Sequence, residues 1–298
     1  MKTMVAIKMK SEYKQLSLIA EESNTYESLE VEDKQSQLTK VYTKESLIEI
    51  LREIRNKGWI SGARHGNVGS VGNTLEDLLG LKENNLPIPN AAEWELKCQR
   101  ANTTSLVTLF HMEPSPRAIK FVPLVFLRKY GWPHQHAGVV HSIDELSFRQ
   151  TISGLTRSDR GFKVIVDRAA CKVLISFDAS TVDPRHETWL KTVEIRAGLG
   201  ELDPQPYWGF DDLHHKAGTK LLNCFYVQAE AKREAGQEFF KYSKILMMQR
   251  FNLESFLIGI EQGFVFIDFD ARTRHNHGTK FRLRQNKLPM LYSQITEI

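Results

Sequence analysis

Short β-type runs follow a helix-like segment along this chain, and that order restricts the fold more than any other feature of the sequence. Leu47, Ile50, Leu51 and Ile54 repeat at the spacing of an amphipathic helix, and Gly58 follows as a stop signal. The β-type runs are 94–97, 103–111, 163–167, 172–178, 224–230 and 264–270, and a helical pattern covers 253–263. Because helices come first and strands then dominate without an internal repeat, the sequence predicts a mixed α+β or α/β domain.

The composition excludes several protein classes. Of the 298 residues, 41% are hydrophobic, which is enough for a sizeable core and excludes a wholly disordered chain. No run approaches the roughly 18 consecutive apolar residues of a membrane span, and the first residues lack the apolar segment of a secretory signal. Cys98, Cys171 and Cys224 are too few and too widely spaced for a disulfide framework. These features predict a cytoplasmic protein.

Residues 1–42 differ in composition from the rest of the chain. This stretch is rich in Glu, Ser and Gln and poor in aromatic residues. We therefore expect a polar, acidic N-terminal extension, mobile or loosely packed, before a domain at 43–298.

Three glycines spaced three residues apart, from Gly66 to Gly72, separate the first helix from a second one. Such glycines allow positive φ and a close approach of the backbone to a phosphate or to a neighbouring element. The loop lacks the ending of a P-loop, and it follows a helix where a dinucleotide fingerprint would follow a strand. Phosphate binding and a tight turn both stay open. Asn73 or Thr74 is predicted to cap the second helix, Leu75–Leu79.

A possible metal site begins at Pro89-Asn90 and continues, after four residues, with Glu95-Leu96-Lys97. On a strand, Glu95 and Lys97 would point to the same face. The Glu95 carboxylate and the Leu96 carbonyl can ligate a divalent cation, and the Lys97 ammonium can orient a water or steady a phosphate charge. An acid and a lysine at this spacing also occur as ordinary surface ion pairs, so the motif alone does not decide.

Residues 272–284 concentrate basic and imidazole side chains without an acid. They are Arg272, Arg274, His275, His277, Lys280, Arg282 and Arg284. These residue types suit phosphate contacts and base-edge hydrogen bonds, arginine to guanine above all. A solvated basic turn is the alternative, and a His-x-His metal site is disfavoured because no acid or cysteine lies nearby.

Taken together, these segments resemble the MvaI/BcnI restriction endonucleases, relatives of the mismatch-repair nicking enzyme MutH. The matching motifs are Gly66–Gly69, Gly72–Gly80, Pro89–Lys97 and His275–Arg282, with supporting stretches at Leu127–Gly131, Tyr207–Leu213 and Val227–Lys232. They keep the family's order from about Thr43 to about Arg284, which is far more specific than any one motif.

The resemblance implies a PD-(D/E)xK fold, in which a central mixed sheet is flanked by helices and two lobes surround a DNA cleft. It implies cleavage of short duplex DNA sites, commonly of the CCNGG type, with Mg²⁺ or, in its place, Mn²⁺. Members of the family act as monomers that cut one strand at a time, and a cognate DNA methyltransferase is the expected genetic partner.

Carried over by position, Glu95 would be the metal-binding carboxylate, Lys97 the motif lysine and Glu76 an accessory acid. Asn90 falls where the family pattern has aspartate, and an amide is a weaker Mg²⁺ ligand than a carboxylate. Three explanations stay open: Asn90 is native and Glu93 or Glu76 supplies the charge, it is an engineered substitution, or the protein binds DNA and cleaves it poorly. We favour the first, because both acids are near in sequence.

The same carry-over assigns DNA reading to the basic segment. His275, His277 and Arg282 match the major-groove segment of the family. Arg272, Arg274, Lys280 and Arg284 would be a mixture of base and phosphate contacts, and His111, after the strand that follows the motif lysine, is a candidate second reader.

Other functions compete with this interpretation. The first is a MutH-like nicking or repair nuclease, and the second is a DNA-binding protein of the same fold that has lost catalysis. The third is a small-molecule enzyme that uses the glycine loop for phosphate.

Overall fold

The structure, a computed structural model, describes residues 42–63, 69–81, 93–101 and 103–298. The first two helices lie near the start of this part of the chain. The helices are α1 (Lys44–Asn56), α2 (Ser70–Leu79), α3 (Arg128–Tyr130, which continues a π-helical turn at Val122–Leu127), α4 (Glu187–Ala197), α5 (Phe210–Leu221) and α6 (Leu253–Glu261). Short 3₁₀ turns occur at Arg117–Ile119, Ala179–Thr181, Pro184–His186 and Gln285–Leu291. Residues 42–298 form one compact unit.

Thirteen strands of the described residues complete the fold. They are β1 (Trp59–Ser61), β2 (Trp94–Arg100), β3 (Leu106–His111), β4 (Trp132–Pro133), β5 (Leu146–Ser153), β6 (Phe162–Asp167), β7 (Lys172–Phe177), β8 (Tyr207–Gly209), β9 (Asn223–Glu234), β10 (Gln237–Phe251), β11 (Val265–Arg272), β12 (His275–Arg284) and β13 (Tyr292–Glu297). The predicted mixture of helices and strands is therefore confirmed.

A five-stranded mixed sheet, which we call the central sheet, has the order β1-β10-β9-β2, with β13 paired to β10. Strand β2 runs parallel to β9, and the other pairs are antiparallel. Successive residues of β9 face opposite sides, so that Phe225 and Val227 join the core under α1 and α2 while Cys224 and Tyr226 join the larger core. Both faces of the central sheet are thus covered.

A second five-stranded sheet has the order β3-β12-β11-β5-β4 and is antiparallel throughout. We call it the recognition sheet because it carries the residues predicted to read DNA. Its inner face is apolar: Phe148, Ile152, Ile267, Phe269, Phe281 and Leu283 are buried in the larger core. The residues that alternate with them in β12, Lys280, Arg282 and Arg284, therefore point to the opposite face. A smaller sheet, β6-β7-β8, completes the fold.

Two boundaries differ from the sequence prediction. Helix α2 begins at Ser70, with Gly69 as its N-cap, so Asn73 and Thr74 do not cap it. The hydroxyl of Thr74 instead donates to the Ser70 carbonyl, 2.8 Å away, inside the helix. Most of the basic segment forms strand β12 and not a solvated turn, because its apolar alternate residues pack in the core.

Residues 1–41 lie outside the described residues, so the predicted extension stays a prediction. Tyr42, its last residue, is buried, and its hydroxyl donates to the carbonyl of Leu79. The glycine loop lies partly outside the described residues as well. No helix in the described ranges is long and apolar enough to span a membrane.

The Trp208 indole ties β8 to the residue that follows β3. Its Nε1 donates to the buried Met112 carbonyl at 3.0 Å, and its ring packs edge-on against Phe281. Trp208→Phe should therefore lower the free energy of unfolding by about 1–3 kcal/mol, because it leaves a buried carbonyl without its donor. Urea denaturation measures this, with Trp59→Phe, at an exposed tryptophan, expected to change little. Equal stability of Trp208→Phe and the wild type would contradict the stabilising role of this hydrogen bond.

Candidate active site and DNA interface

Glu95 and Lys97 lie on the same side of strand β2, as their spacing predicted. The Lys97 Nζ is 2.6 Å from Glu95 Oε1 and 3.5 Å from the Leu109 carbonyl of β3. Only 2% of Glu95 is exposed, because β2 pairs along its length with β9 in the central sheet. The carboxylate therefore needs partners, since an unpaired buried charge costs several kcal/mol.

A second lysine, which the sequence analysis missed, faces the other oxygen of this carboxylate. Lys220, in the last turn of α5, places its Nζ 3.7 Å from Glu95 Oε2. The signal was present in the sequence: Leu213, Ala217 and Leu221 recur at helical spacing and are buried. Recognising that helix would have placed Lys220 beside its buried face.

Positive charge dominates the surroundings of Glu95. Desolvation lowers the pKa of Lys220; the Glu95 carboxylate opposes this shift, and the Lys97 and Lys216 ammonium groups add to it. Desolvation also lowers the pKa of His111, as do Lys280, Lys97, Lys220 and Lys216. His111 therefore lies within electrostatic reach of both the active-site lysines and the recognition strand β12.

Apolar and weakly polar groups form the floor behind Glu95. Cys224 is its partner across β2 and β9, and burial raises the pKa of that thiol to about 12. Burial also raises the pKa of Tyr292, with further contributions from Cys224 and Glu95. Both groups thus stay neutral at ordinary pH, so neither adds a charge behind Glu95.

Of the predicted metal ligands, one observed side-chain atom is suited to bind a hard divalent cation. Glu95 Oε2 is buried and accepts no hydrogen bond in the structure, so it is free to ligate. Among the described residues, no three His, Cys, Asp or Glu side chains converge on a metal position. Asn90, the second predicted side-chain ligand, lies outside the described residues, and the role of the Leu96 carbonyl stays a prediction.

Glu76 lies half-buried on α2, and its charge contributes to raising the pKa of the Cys98 thiol, after desolvation. Cys98 alternates with Glu95 and Lys97 along β2 and points to the opposite face. Glu76 therefore acts on the face of β2 that packs against α2, opposite to the face that carries Glu95 and Lys97. Its role in the active site stays a prediction.

The predicted DNA-reading residues form the β11–β12 hairpin of the recognition sheet. His275 and His277 are exposed near its tip, with ring centroids 4.2 Å apart. Asn276 accepts a hydrogen bond from the Gly278 amide, and Glu113 accepts from the Thr279 amide and hydroxyl. The hairpin is thus held by a hydrogen bond within it and by Glu113 outside it, while its two imidazoles are exposed.

Acids from neighbouring segments pair with the basic residues of this hairpin. Arg282 lies 3.2 Å from Asp268, and Lys280 lies 3.4 Å from Asp270. Arg272 donates to the buried Glu145 at 2.8 Å. The segment 272–284 contains no acid, so the sequence did not reveal these pairs. Their effect is to fix the directions of the long side chains.

A second group of histidines adjoins the hairpin. His134, His136 and His141 line, together with His275 and His277, a cavity of about 280 Å³. His134 is buried, and its Nδ1 accepts a hydrogen bond from the His136 amide at 3.1 Å. Imidazoles can donate to base edges and to phosphates, so this loop extends the candidate DNA surface.

The mixed sheet, with an acid and a lysine at alternate positions of β2, is consistent with the expected PD-(D/E)xK-like fold. The chain belongs to the MvaI/BcnI restriction endonuclease family, because the model of that family matches residues 48–292. No curated protein matches the chain significantly.

Two similar solved structures are of the restriction endonuclease MvaI. Its complex with cognate DNA substrate has a TM-score of 0.68 and 24% identity, and the match covers 86% of this chain and 99% of that chain. MvaI in the absence of DNA has a TM-score of 0.49 and 22% identity, over 87% of this chain and 100% of that chain. The first likeness supports the fold.

Glu145 anchors the tip of the hairpin through Arg272 and the Arg274 amide, and its effect on stability should depend on pH. The hydrogen bond from Arg272 lowers the pKa of Glu145 from its ordinary value of 4.5. A lowered folded-state pKa stabilises the fold fully above the ordinary value, and this contribution is lost as the pH falls through the lowered pKa. Glu145→Gln should therefore unfold at lower urea than the wild type at pH 7.

The difference between the two proteins should shrink below pH 4. Glu187→Gln, which removes an exposed ion pair with Lys191, serves as the control with little effect at either pH. A wild-type advantage that is the same at pH 3 and pH 7 would refute the role of the ionised Glu145.

Proposed function

We propose that this protein is a sequence-specific type II restriction endonuclease that hydrolyses phosphodiester bonds at short duplex DNA sites with Mg²⁺. The observation that carries the proposal is the buried Glu95 with the ammonium groups of Lys97 and Lys220 on its two oxygens. Membership of the MvaI/BcnI family supports it. A CCNGG-type site, action as a monomer in the cytoplasm and a cognate methyltransferase are part of the same proposal.

Each active-site group has a role that its geometry supports. Glu95, with the Leu96 carbonyl and Asn90, would hold the Mg²⁺, which would supply a positive charge to the reacting phosphate and acidify a bound water. Lys97, fixed between Glu95 and the Leu109 carbonyl, is placed to orient that water. Lys220 and Lys216 add charge that favours a phosphodiester over a neutral ligand.

The recognition sheet would present its polar face to the duplex. His275 and His277 at the hairpin tip are exposed donors and acceptors that suit base edges. Lys280 and Arg282 lie further along β12, towards the active site. Because Asp268 and Asp270 hold these two cations, they would meet the DNA already oriented, which lowers the entropic cost of binding.

The direct test is to incubate the protein with unmethylated plasmid and Mg²⁺. Discrete linear fragments support restriction, and sequencing of their ends gives the site. Nicked circles would instead indicate a MutH-like nicking enzyme, and a gel shift without cleavage would indicate a DNA-binding protein that has lost catalysis.

Glu95→Gln and Lys97→Met should each abolish cleavage and leave DNA binding largely intact. The reason is that metal and water positioning stabilise the transition state more than the bound ground state. Single-turnover cleavage and gel shifts measure the two properties. Glu230→Gln and Lys241→Met break an exposed ion pair of the central sheet and are the matched controls. Cleavage by either active-site variant at the wild-type rate would refute the assignment.

Arg282 and Lys280 should affect binding in different ways. Arg282→Ala should cost about 1–3 kcal/mol on the cognate site and blunt its preference over other DNA, as expected for a base contact. Lys280→Ala should weaken all sequences alike and reduce the slope of log affinity against log salt by about one, as expected for a phosphate contact. Titrations at several salt concentrations distinguish these outcomes, and unchanged affinity in both variants would remove β12 from the interface.

A further inference from the structure

Both oxygens of the Glu95 carboxylate face an ammonium group, and the two lysines come from different elements. Lys97 belongs to β2 and lies 2.6 Å from Oε1, whereas Lys220 belongs to α5 and lies 3.7 Å from Oε2. The first distance is a hydrogen bond and the second is not. Lys220 thus stands beside the one carboxylate oxygen that is free to ligate a cation.

The charges at this point do not balance. The side chains of Lys97 and Lys220 are only 16% and 19% exposed, and within the described residues Glu95 is the carboxylate that pairs with each of them. One carboxylate therefore faces two partly buried ammonium groups, and Lys216 adds a further positive charge one turn earlier on α5. Desolvated surplus cations are unfavourable until an anion compensates them.

A divalent cation at Oε2 would increase this surplus, whereas a DNA phosphate would reduce it. Since like charges repel strongly in a partly buried site, cation and Lys220 compete for the same oxygen. A phosphodiester offers Lys220 another partner and brings negative charge to the cation. The two ligands of the site should therefore favour each other.

We propose that Lys220 makes metal binding at Glu95 dependent on DNA: it opposes the cation in the free protein and pairs with the scissile-strand phosphate in the complex. This inference rests on the proposed function. By thermodynamic linkage, DNA must strengthen metal binding by the same factor by which the metal strengthens DNA binding. Lys220 thereby weakens metal binding at equilibrium until substrate is present.

The experiment measures Ca²⁺ binding by calorimetry on the full chain, without DNA and with a short duplex that carries the mapped site. Ca²⁺ takes oxygen ligands as Mg²⁺ does, and electrophoresis after each titration verifies that the duplex is intact. We expect the duplex to tighten Ca²⁺ binding by about tenfold or more in the wild type, within the usual range of coupling between sites.

Lys220→Met should bind Ca²⁺ more tightly than the wild type when DNA is absent, and should lose most of the strengthening by the duplex. Lys220→Arg, which keeps the charge, should restore weak DNA-free binding. Lys216→Met is the matched control: it removes a charge from the same helix without removing a contact to Glu95, so its DNA-free affinity should change less.

The sign of the change separates this role from a structural one. A variant that merely disturbed the site would bind Ca²⁺ more weakly, so a weaker or unchanged DNA-free affinity in Lys220→Met would overturn the proposal. Failure of the proposed function is a different result, in which the wild type itself leaves plasmid DNA intact. Cleavage by the wild type together with unchanged Ca²⁺ affinity in Lys220→Met would refute the inference alone.

Discussion

The burial of one carboxylate is the constraint from which the rest of the site follows. Glu95 lies on β2, at the edge of the central sheet, with only 2% of its surface exposed, so a charge there requires cations nearby. Lys97 meets this requirement from the same strand, and Lys220 approaches from α5. Helix α5 and the strands β2 and β3 thus meet around the Glu95 carboxylate.

The recognition sheet shows how a core and a polar surface can share the same strands. Phe281 stacks on Phe110 at 4.9 Å within the core, and its neighbours Lys280 and Arg282 point the other way. Packing of the apolar residues in the core therefore fixes the face of the sheet on which the basic residues lie. The acids of β11 then set the direction in which each cation extends.

Sequence patterns predicted the elements whose signals are local. Helix α1 follows the spacing of Leu47, Leu51 and Ile54, and the runs predicted at 163–167 and 172–178 match strands β6 and β7 to within one residue at each end. Strand β12 was missed as a strand because His275 and His277 interrupt its alternation of polar and apolar residues. The family resemblance, which depended on motif order, supplied the fold that periodicity alone could not choose.

Contacts between distant segments were beyond the reach of the sequence. Lys220 is 125 residues from Glu95, and Glu145 is 127 residues from Arg272. Only tertiary structure brings such pairs together, so the sequence could place Lys220 on a helix but could not reveal its contact with Glu95. Asn90 shows the opposite case, because the motif identified it and its geometry lies outside the described residues.

Strand β12 spans the distance between the exposed hairpin tip and the candidate active site. His275 stands at its outer end, while Lys280 is paired with His111 beside the active-site lysines. At about 3.3 Å per residue, five residues of extended chain separate these points by roughly 16 Å. If the protein acts as proposed, the register of β12 would set the interval between the bases that are read and the bond that is cut. A single inserted residue would turn every outward side chain beyond it towards the core, so that interval would be harder to change than the side chains at the hairpin tip.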